Sequence, residues 1–218
     1  MIMYFVTLSA CFSTKSRPAR LKLIHRCSSY APGYRDLRAG ARAMHHVLFA
    51  HGSAVEALRA EGAKNLGIVL NLSHAFPATD TEADRKATAL WDAVFNLWYL
   101  DSVLKGTYPQ AATDILDPYL PVNYRDDLKT ISAPIDWLGI NYYTRSLMSA
   151  DPSNTVFPVK GIEGPLEKSE MGWEIYPEGL EELLLRLSRD YPGTPLYVTE
   201  NGMAEVEGFD DPRRTNYY

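Results

Sequence analysis

Cysteine is scarce in this chain. Among 218 residues there are two, Cys11 and Cys27, both near the N-terminus and without metal-ligand spacing. That argues against a disulfide framework and makes a cytoplasmic location the expectation. Positive charge is missing from the start: no Lys or Arg precedes Lys15, whereas a secretory leader opens on a basic segment followed by a longer apolar run. Leu8-Ser9-Ala10-Cys11 resembles a lipoprotein cleavage box but sits too early. No apolar run approaches the ~20 residues of a membrane span, so no membrane partner is expected. There is no basic block either. With 22 Lys and Arg against 27 Asp and Glu and a formal net charge of −5, nothing favours a nucleic-acid partner. P-loop, dinucleotide fingerprint and nucleophile elbow are all missing, and no cofactor is expected. His45, His46 and His51 invite a metal reading, but helical zinc ligands recur at i, i+4. The spacings here are one, five and six, so the three do not share a face. They are expected to be packing residues with satisfied ring nitrogens, and no metal is assigned.

What is present alternates between helix and strand patterns. Residues 1–30 run from an apolar start into a basic patch (Lys15, Arg17, Arg20, Lys22, Arg26) and contain no Asp or Glu. They form an atypical stretch, expected to be poorly ordered or loosely docked. Leu37 to Glu61 is Ala-rich and helical, with Gly62 as its stop. Leu66 to Leu72 is a short continuous apolar run, the mark of a parallel strand covered on both faces. Thr81 to Leu104 is helical again, Thr81 being the N-cap. A Pro-rich connection follows (Pro109, Pro118, Pro121), then a second buried strand from Ile135 to Tyr142. A long loop is expected from Thr144 to Pro177. Leu180, Leu183, Leu184 and Leu187 mark one face of a third helix, and Leu196 to Thr199 a third strand. Such alternation argues an α/β fold with parallel strands.

Chemistry in parallel α/β folds gathers at the carboxyl ends of the strands. The three ends offer Asn71, Ser73 and His74; then Asn141, Tyr142, Tyr143 and Arg145; then Glu200 and Asn201. A carboxylate, a phenol and amides on one rim can hold a polyol and attack it. Each has a plainer role as well. Asn201-Gly202 is a common turn pair, a strand-end Glu is often a solvated rim residue, and Tyr142 and Tyr143 are ordinary half-buried strand formers.

Five segments, in order, resemble glycoside hydrolase family 1, in particular its β-glucosidase-like members. Val198-Thr199-Glu200-Asn201-Gly202 resembles the nucleophile signature, in which the Glu ends the seventh barrel strand. Leu138 to Arg145 resembles the sixth-strand motif, and Met171 to Leu180 the segment leading into the sixth helix. Gly67 to Leu72 with Pro77 is similar to the fifth strand and its loop. Ala31-Pro32-Gly33, followed by His45-His46 and Ala50-His51-Gly52, is similar to the stretch after the fourth strand. The resemblance covers residues 31–218 and implies part of a (β/α)8 TIM barrel: an α/β partial barrel over 31–218 behind the atypical stretch 1–30.

Residue by residue, the resemblance implies that Glu200 is the catalytic nucleophile and that Tyr143 hydrogen-bonds and orients it. It implies that Asn141 lines the sugar site and that Trp173 is the platform for the leaving group. The implied partner is a β-glucoside or related sugar, handled by the retaining mechanism in which two carboxyls ~5–5.5 Å apart act as nucleophile and acid/base. The sequence departs from the family at the second carboxyl. There is no Asn-Glu-Pro motif before the Ala-Pro-Gly stretch; Ile24-His25-Arg26-Cys27-Ser28-Ser29-Tyr30 stand there instead. Two readings remain open. One is a retaining β-glycosidase impaired by loss of its acid/base; the other is a non-catalytic carbohydrate-binding or interaction fragment, or an inactive truncated gene product. A three-stranded parallel sheet also has open edges, which invite self-association.

Overall fold

A computed structural model describes residues 36–205 and 212–218. The atypical stretch 1–30 and the Ala31-Pro32-Gly33 motif lie outside the described residues. Helix α1 spans Leu37–Ala60. The Asp36 carboxylate caps it, accepting from the Arg38 and Ala39 N–H groups at 2.8 and 3.3 Å. Gly62, at φ +82°, turns the chain out of the helix. Strand β1 (Gly67–Asn71) follows, then the short β2 (Ala75–Pro77). Helix α2 (Glu82–Asp92) is capped by the Thr81 hydroxyl, which accepts from the Asp84 N–H. It passes through a π-helical turn, Ala93–Leu97, into α3 (Trp98–Lys105). Helices α4 (Gln110–Leu116) and α5 (Tyr124–Ile131) flank a 3-10 turn, Asp117–Tyr119. The remaining elements are β3 (Trp137–Tyr142), β4 (Ser146–Ala150), β5 (Val159–Gly161), α6 (Glu178–Asp190), β6 (Leu196–Asn201) and α7 (Pro212–Tyr217).

The principal sheet has the order β1-β3-β6, all parallel. This is the alternating architecture expected of a partial barrel. The middle strand is the most deeply covered: Leu138, Ile140 and Tyr142 are fully buried. They belong to one core with Leu48, Trp91, Trp98, Leu183 and Leu187, contributed by α1, α2, α3 and α6. The alternate residue Gly139 is required by crowding on the opposite face, where a Cβ would lie 2.8 Å from the Val69 side chain and 3.0 Å from that of Thr199.

Three expectations need correction. The stretch from Thr144 to Pro177 is not one long loop. It holds β4 and β5, which join β2 in a second sheet, β2 parallel to β4 and β4 antiparallel to β5, and a bridge between Lys168 and Glu174. So the described residues contain six strands rather than three. These strands are too short and too mixed in composition to show alternation. A tertiary anchor on α2 fixes β4 instead: the Asp84 carboxylate accepts from the Ser149 hydroxyl and the Ala150 N–H, both at 2.8 Å. The Pro-rich connection is largely helical, because Pro109 immediately precedes α4 and Pro118 is the second residue of the 3-10 turn. Those are places where a missing N–H costs nothing. Finally, the histidines differ among themselves. His45 is satisfied as expected, with Nδ1 at 2.9 Å from the Tyr108 hydroxyl and Nε2 at 2.9 Å from Asp127. His51 is not: its Nε2 is buried with no hydrogen-bond partner, and burial pushes its pKa down to about 4, which keeps it neutral.

Candidate active site

Three of the four expected site residues stand at the carboxyl ends of β3 and β6 or just past them. Asn141 pairs with Glu200 across the two strands. The pairing is irregular there: Ile140 pairs with Val198, yet Asn141 pairs with Glu200, so Thr199 is an extra residue on β6. In a regular strand consecutive side chains point to opposite faces. The slip lets two consecutive residues address one side of β3. The Thr199 hydroxyl donates to Asn141 Oδ1 at 2.7 Å, and Glu200 Oε2 accepts the Tyr143 hydroxyl. Bulges of this kind are common beside functional sites because they re-aim a side chain. Burial first, then the hydrogen bond to Glu200 and its charge, raise the Tyr143 pKa. Tyr143 therefore stays a phenol, able to donate.

The turn after β6 is held from outside. Asn201 Nδ2 donates to the Tyr142 carbonyl and to the Tyr217 hydroxyl, both at 2.9 Å, and the Tyr218 hydroxyl donates to the Asn201 carbonyl at 2.9 Å. Asn201 is thus a bracket for the strand end, and Gly202, at φ +140°, provides the turn.

Trp173 lies beside Tyr143, ring centroids 5.8 Å apart and tilted 47°. The neighbouring residue fixes it. Glu174 is buried, and its Oε2 accepts from Arg145 Nε at 2.7 Å, its Oε1 from the Leu166 N–H at 2.8 Å. Its carbonyl accepts from the Thr144 hydroxyl at 2.8 Å. Burial alone would raise the Glu174 carboxyl, but the hydrogen bonds from Arg145 and Leu166 outweigh it and hold the pKa below the usual value. Arg145 also stacks over the Tyr176 ring at 4.7 Å. It is thus a strut between the strand end and the Trp173 segment rather than a group aimed at Glu200. Tyr142 likewise points into the core and donates to the Tyr176 carbonyl at 2.7 Å.

Strand β1 contributes differently from what its motif suggests. The Ser73 hydroxyl bonds the Thr144 carbonyl and the Ser146 hydroxyl, both at 2.9 Å, tying two strand ends together. His74 stacks on Phe76 and faces Glu182 of α6, Nδ1 to Oε2 3.3 Å, away from the Tyr143–Glu200 contact. Sequence reasoning missed Asn96. Fully buried in the π-helical turn, it accepts from the Ser73 N–H at 3.2 Å and donates to the Ser73 carbonyl at 2.8 Å and to Asp92 at 2.6 Å. Asp92 in turn takes a two-pronged contact from Arg186, at 2.9 and 2.6 Å. A lone polar residue within an apolar helical run was the signal available. The strand ends and the Trp173 segment enclose a cavity of about 150 Å³, lined among others by Asn71, Tyr143, Arg145, Trp173 and Glu174. Tyr143 is common to the cavity and to the Glu200 contact.

A parallel sheet whose strand ends converge on one rim, carrying Glu200 against Tyr143, has the layout of a glycosidase barrel. The sequence matches the family model described as glycosyl hydrolase family 1 over residues 11–218. The chain belongs to that family. It is 39% identical over 197 residues to Beta-glucosidase A of Acetivibrio thermocellus, covering 88% of this chain and 44% of that protein. It is 37% identical to Beta-glucosidase A of Thermotoga maritima, covering 86% and 41%. Among solved structures, a family 1 β-glucosidase from Thermotoga maritima superposes with a TM-score of 0.81 at 34% identity, over 90% of this chain and 46% of that one. A β-glucosidase from Exiguobacterium marinum gives 0.80 at 36%, over 88% and 46%. The chain thus spans less than half the length of these relatives, and its fold is part of their (β/α)8 barrel.

Proposed function

We propose that the chain carries the nucleophile half of a retaining β-glycosidase site, β-glucosidase-like in substrate, with Glu200 as the nucleophile. The observation that supports this most is the Tyr143–Glu200 contact at paired strand ends. Tyr143 donates to one carboxylate oxygen, which orients the group and leaves the other oxygen to attack. Asn141, held by Thr199, lines the sugar position, and Trp173 is the platform for the leaving group. The relatives named Beta-glucosidase, and a Thermotoga maritima β-glucosidase solved with deoxynojirimycin, favour a β-glucoside as the sugar.

In the first step a Glu200 oxygen forms a bond to the anomeric carbon as the bond to the leaving oxygen breaks. The product is a glycosyl ester, and the leaving oxygen takes the electron pair. In the second step water attacks the same carbon, the ester bond breaks, and the water's proton must be removed. Family members use a second carboxyl for both proton transfers. At residues 24–30, where its motif would stand, this sequence has no Asp or Glu. Loss of such a group costs ~10²–10⁴-fold in rate. Activated leaving groups, which need no proton, are then the substrates of choice.

The test is intact mass after mixing the chain with dinitrophenyl 2-fluoro-β-glucoside, followed by peptide mapping. A sugar adduct on the peptide holding Glu200, absent in Glu200→Gln, is expected. No adduct at any concentration, from folded chain that still binds a β-glucoside, returns the non-catalytic reading.

A further inference from the structure

The cavity beside Trp173 has a charged mouth that the site described so far does not use. Lys168 and Glu163 both line it, and their side chains form an ion pair. They come from different elements. Glu163 follows β5, where the Ile162 N–H donates to the Leu147 carbonyl at 2.8 Å. Lys168 stands on the turn that carries Trp173. The Lys168–Glu174 bridge is flanked by hydrogen bonds from the Ser169 N–H to the Trp173 carbonyl and from the Ile175 N–H to the Glu167 carbonyl, both 2.8 Å. Gly172, at φ +74°, closes this turn. One tight hairpin thus carries both Lys168 and Trp173, and the chain leaving the second sheet brings the Glu163 carboxylate to meet the ammonium.

We propose that the Lys168–Glu163 pair is the specificity-determining element of this cavity and selects a sugar over an apolar alcohol as the leaving group. A pyranose has an apolar face and a rim of hydroxyls. Trp173 supplies the flat partner for the face. The ammonium supplies N–H donors and the carboxylate supplies acceptors for the rim. A phenyl or alkyl group uses the indole and the apolar walls, and gains nothing from the pair. Both charged ends remain in contact with water, Lys168 at 30% and Glu163 at 65% side-chain exposure, so a hydroxyl can insert between them without the desolvation that a buried pair would demand. The inference rests on the reading of Trp173 as the leaving-group platform, but not on any reaction at Glu200.

The experiment uses two S-linked β-glucosides that resist cleavage: a thio-linked glucosyl-glucose disaccharide and phenyl 1-thio-β-glucoside. Calorimetry on the full chain measures their affinities for the wild type, Lys168→Met and Glu163→Gln. The pair is partly exposed and either change is expected to leave the urea midpoint in place, because ion pairs open to water add little to folding. Each substitution should weaken the disaccharide about tenfold, the effect of losing one charge-assisted hydrogen bond. The phenyl compound should change less than twofold. Parallel losses for both ligands, no loss for either, or no binding of either to the wild type would overturn the proposal. Selective binding without a Glu200 adduct would overturn only the reaction.

Discussion

Replacing Gly52 by alanine sets two opposing effects against each other in one helix. Gly52 lies within α1, where alanine is a better helix former by ~1 kcal/mol. At this position, however, α1 presses on the end of α5. An added Cβ would stand 2.0 Å from the Thr130 carbonyl oxygen, 2.5 Å from its carbon and 2.9 Å from the Ile131 Cα. All three obstacles are backbone, so no rotamer change relieves them. A carbon–oxygen contact wants ~3.2 Å or more, so the helices must part by ~1 Å, and a gap of that size forfeits up to half of each dispersion contact around it. Overpacking of a tight core costs ~1–3 kcal/mol. With fully buried Ile131 at the seam, the upper end applies. Subtracting the propensity gain leaves a net loss of about 2 kcal/mol. Gly40 in the same helix has nothing within 4 Å of its would-be Cβ, so Gly40→Ala should keep the propensity gain, about 0.5–1 kcal/mol. Urea unfolding followed by far-UV circular dichroism reads both. At a slope of ~2 kcal/mol per molar, Gly52→Ala should lower the midpoint by ~1 M and Gly40→Ala should raise it slightly. A Gly52→Ala midpoint at or above that of the wild type would refute the steric argument.

Asp84 accepts from Thr79, Ala150 and Ser149, and these bonds hold its pKa down at about 2, against an ordinary 3.8. Because the folded-state value is the lower one, the stability this carboxylate contributes is complete above about pH 4 and drains away as pH falls through 2. Asp84→Asn should therefore flatten the stability profile in that window, measured by urea midpoints from pH 5 to 2; an unchanged slope would count against it. Strand β6 pairs only with β3 among the described strands and exposes Tyr197 at 58% and Val198 at 46%. Apolar surface along an open edge drives association, so light scattering should show species heavier than the monomer, reduced in Val198→Lys. A compact monomer at high concentration would contradict this.

The main frame was legible in the sequence because it is carried by local pattern. The Ala-rich α1, the leucine face of α6 and the short apolar runs of β1, β3 and β6 are each visible locally, and Thr81 caps α2 as its chemistry suggests. The second sheet was not legible. β4 is tied by hydrogen bonds to Asp84, more than sixty residues away, and β5 pairs onto β4; no local window contains that. Prolines concealed α4 and the 3-10 turn because they stand at helix starts, where a breaker is tolerated. At the site, the strand-end motifs located Glu200, Tyr143 and Asn141. The extra residue at Thr199 was hidden, since a bulge leaves composition untouched and alters only phase. Asn96 was hidden for a related reason: its partner Ser73 is 23 residues away.

The π-helical turn at Ala93–Leu97 makes the length of its helix a discrete variable. Such turns hold one residue more than a regular helix needs, and here the surplus presents Asn96 to Ser73. Removing one codon within the turn would let the chain close into continuous α-helix with almost every backbone hydrogen bond intact. Because the wide turn already takes up the surplus residue, the helix on either side would keep its facing, and Trp91 and Trp98, both sealed in the core, would stay there. What would go is the turn that presents Asn96 to Ser73, so a one-codon deletion here would spare the packing and cut the tie to the end of β1. The same loss within regular α2 would instead rotate everything downstream by about 100°.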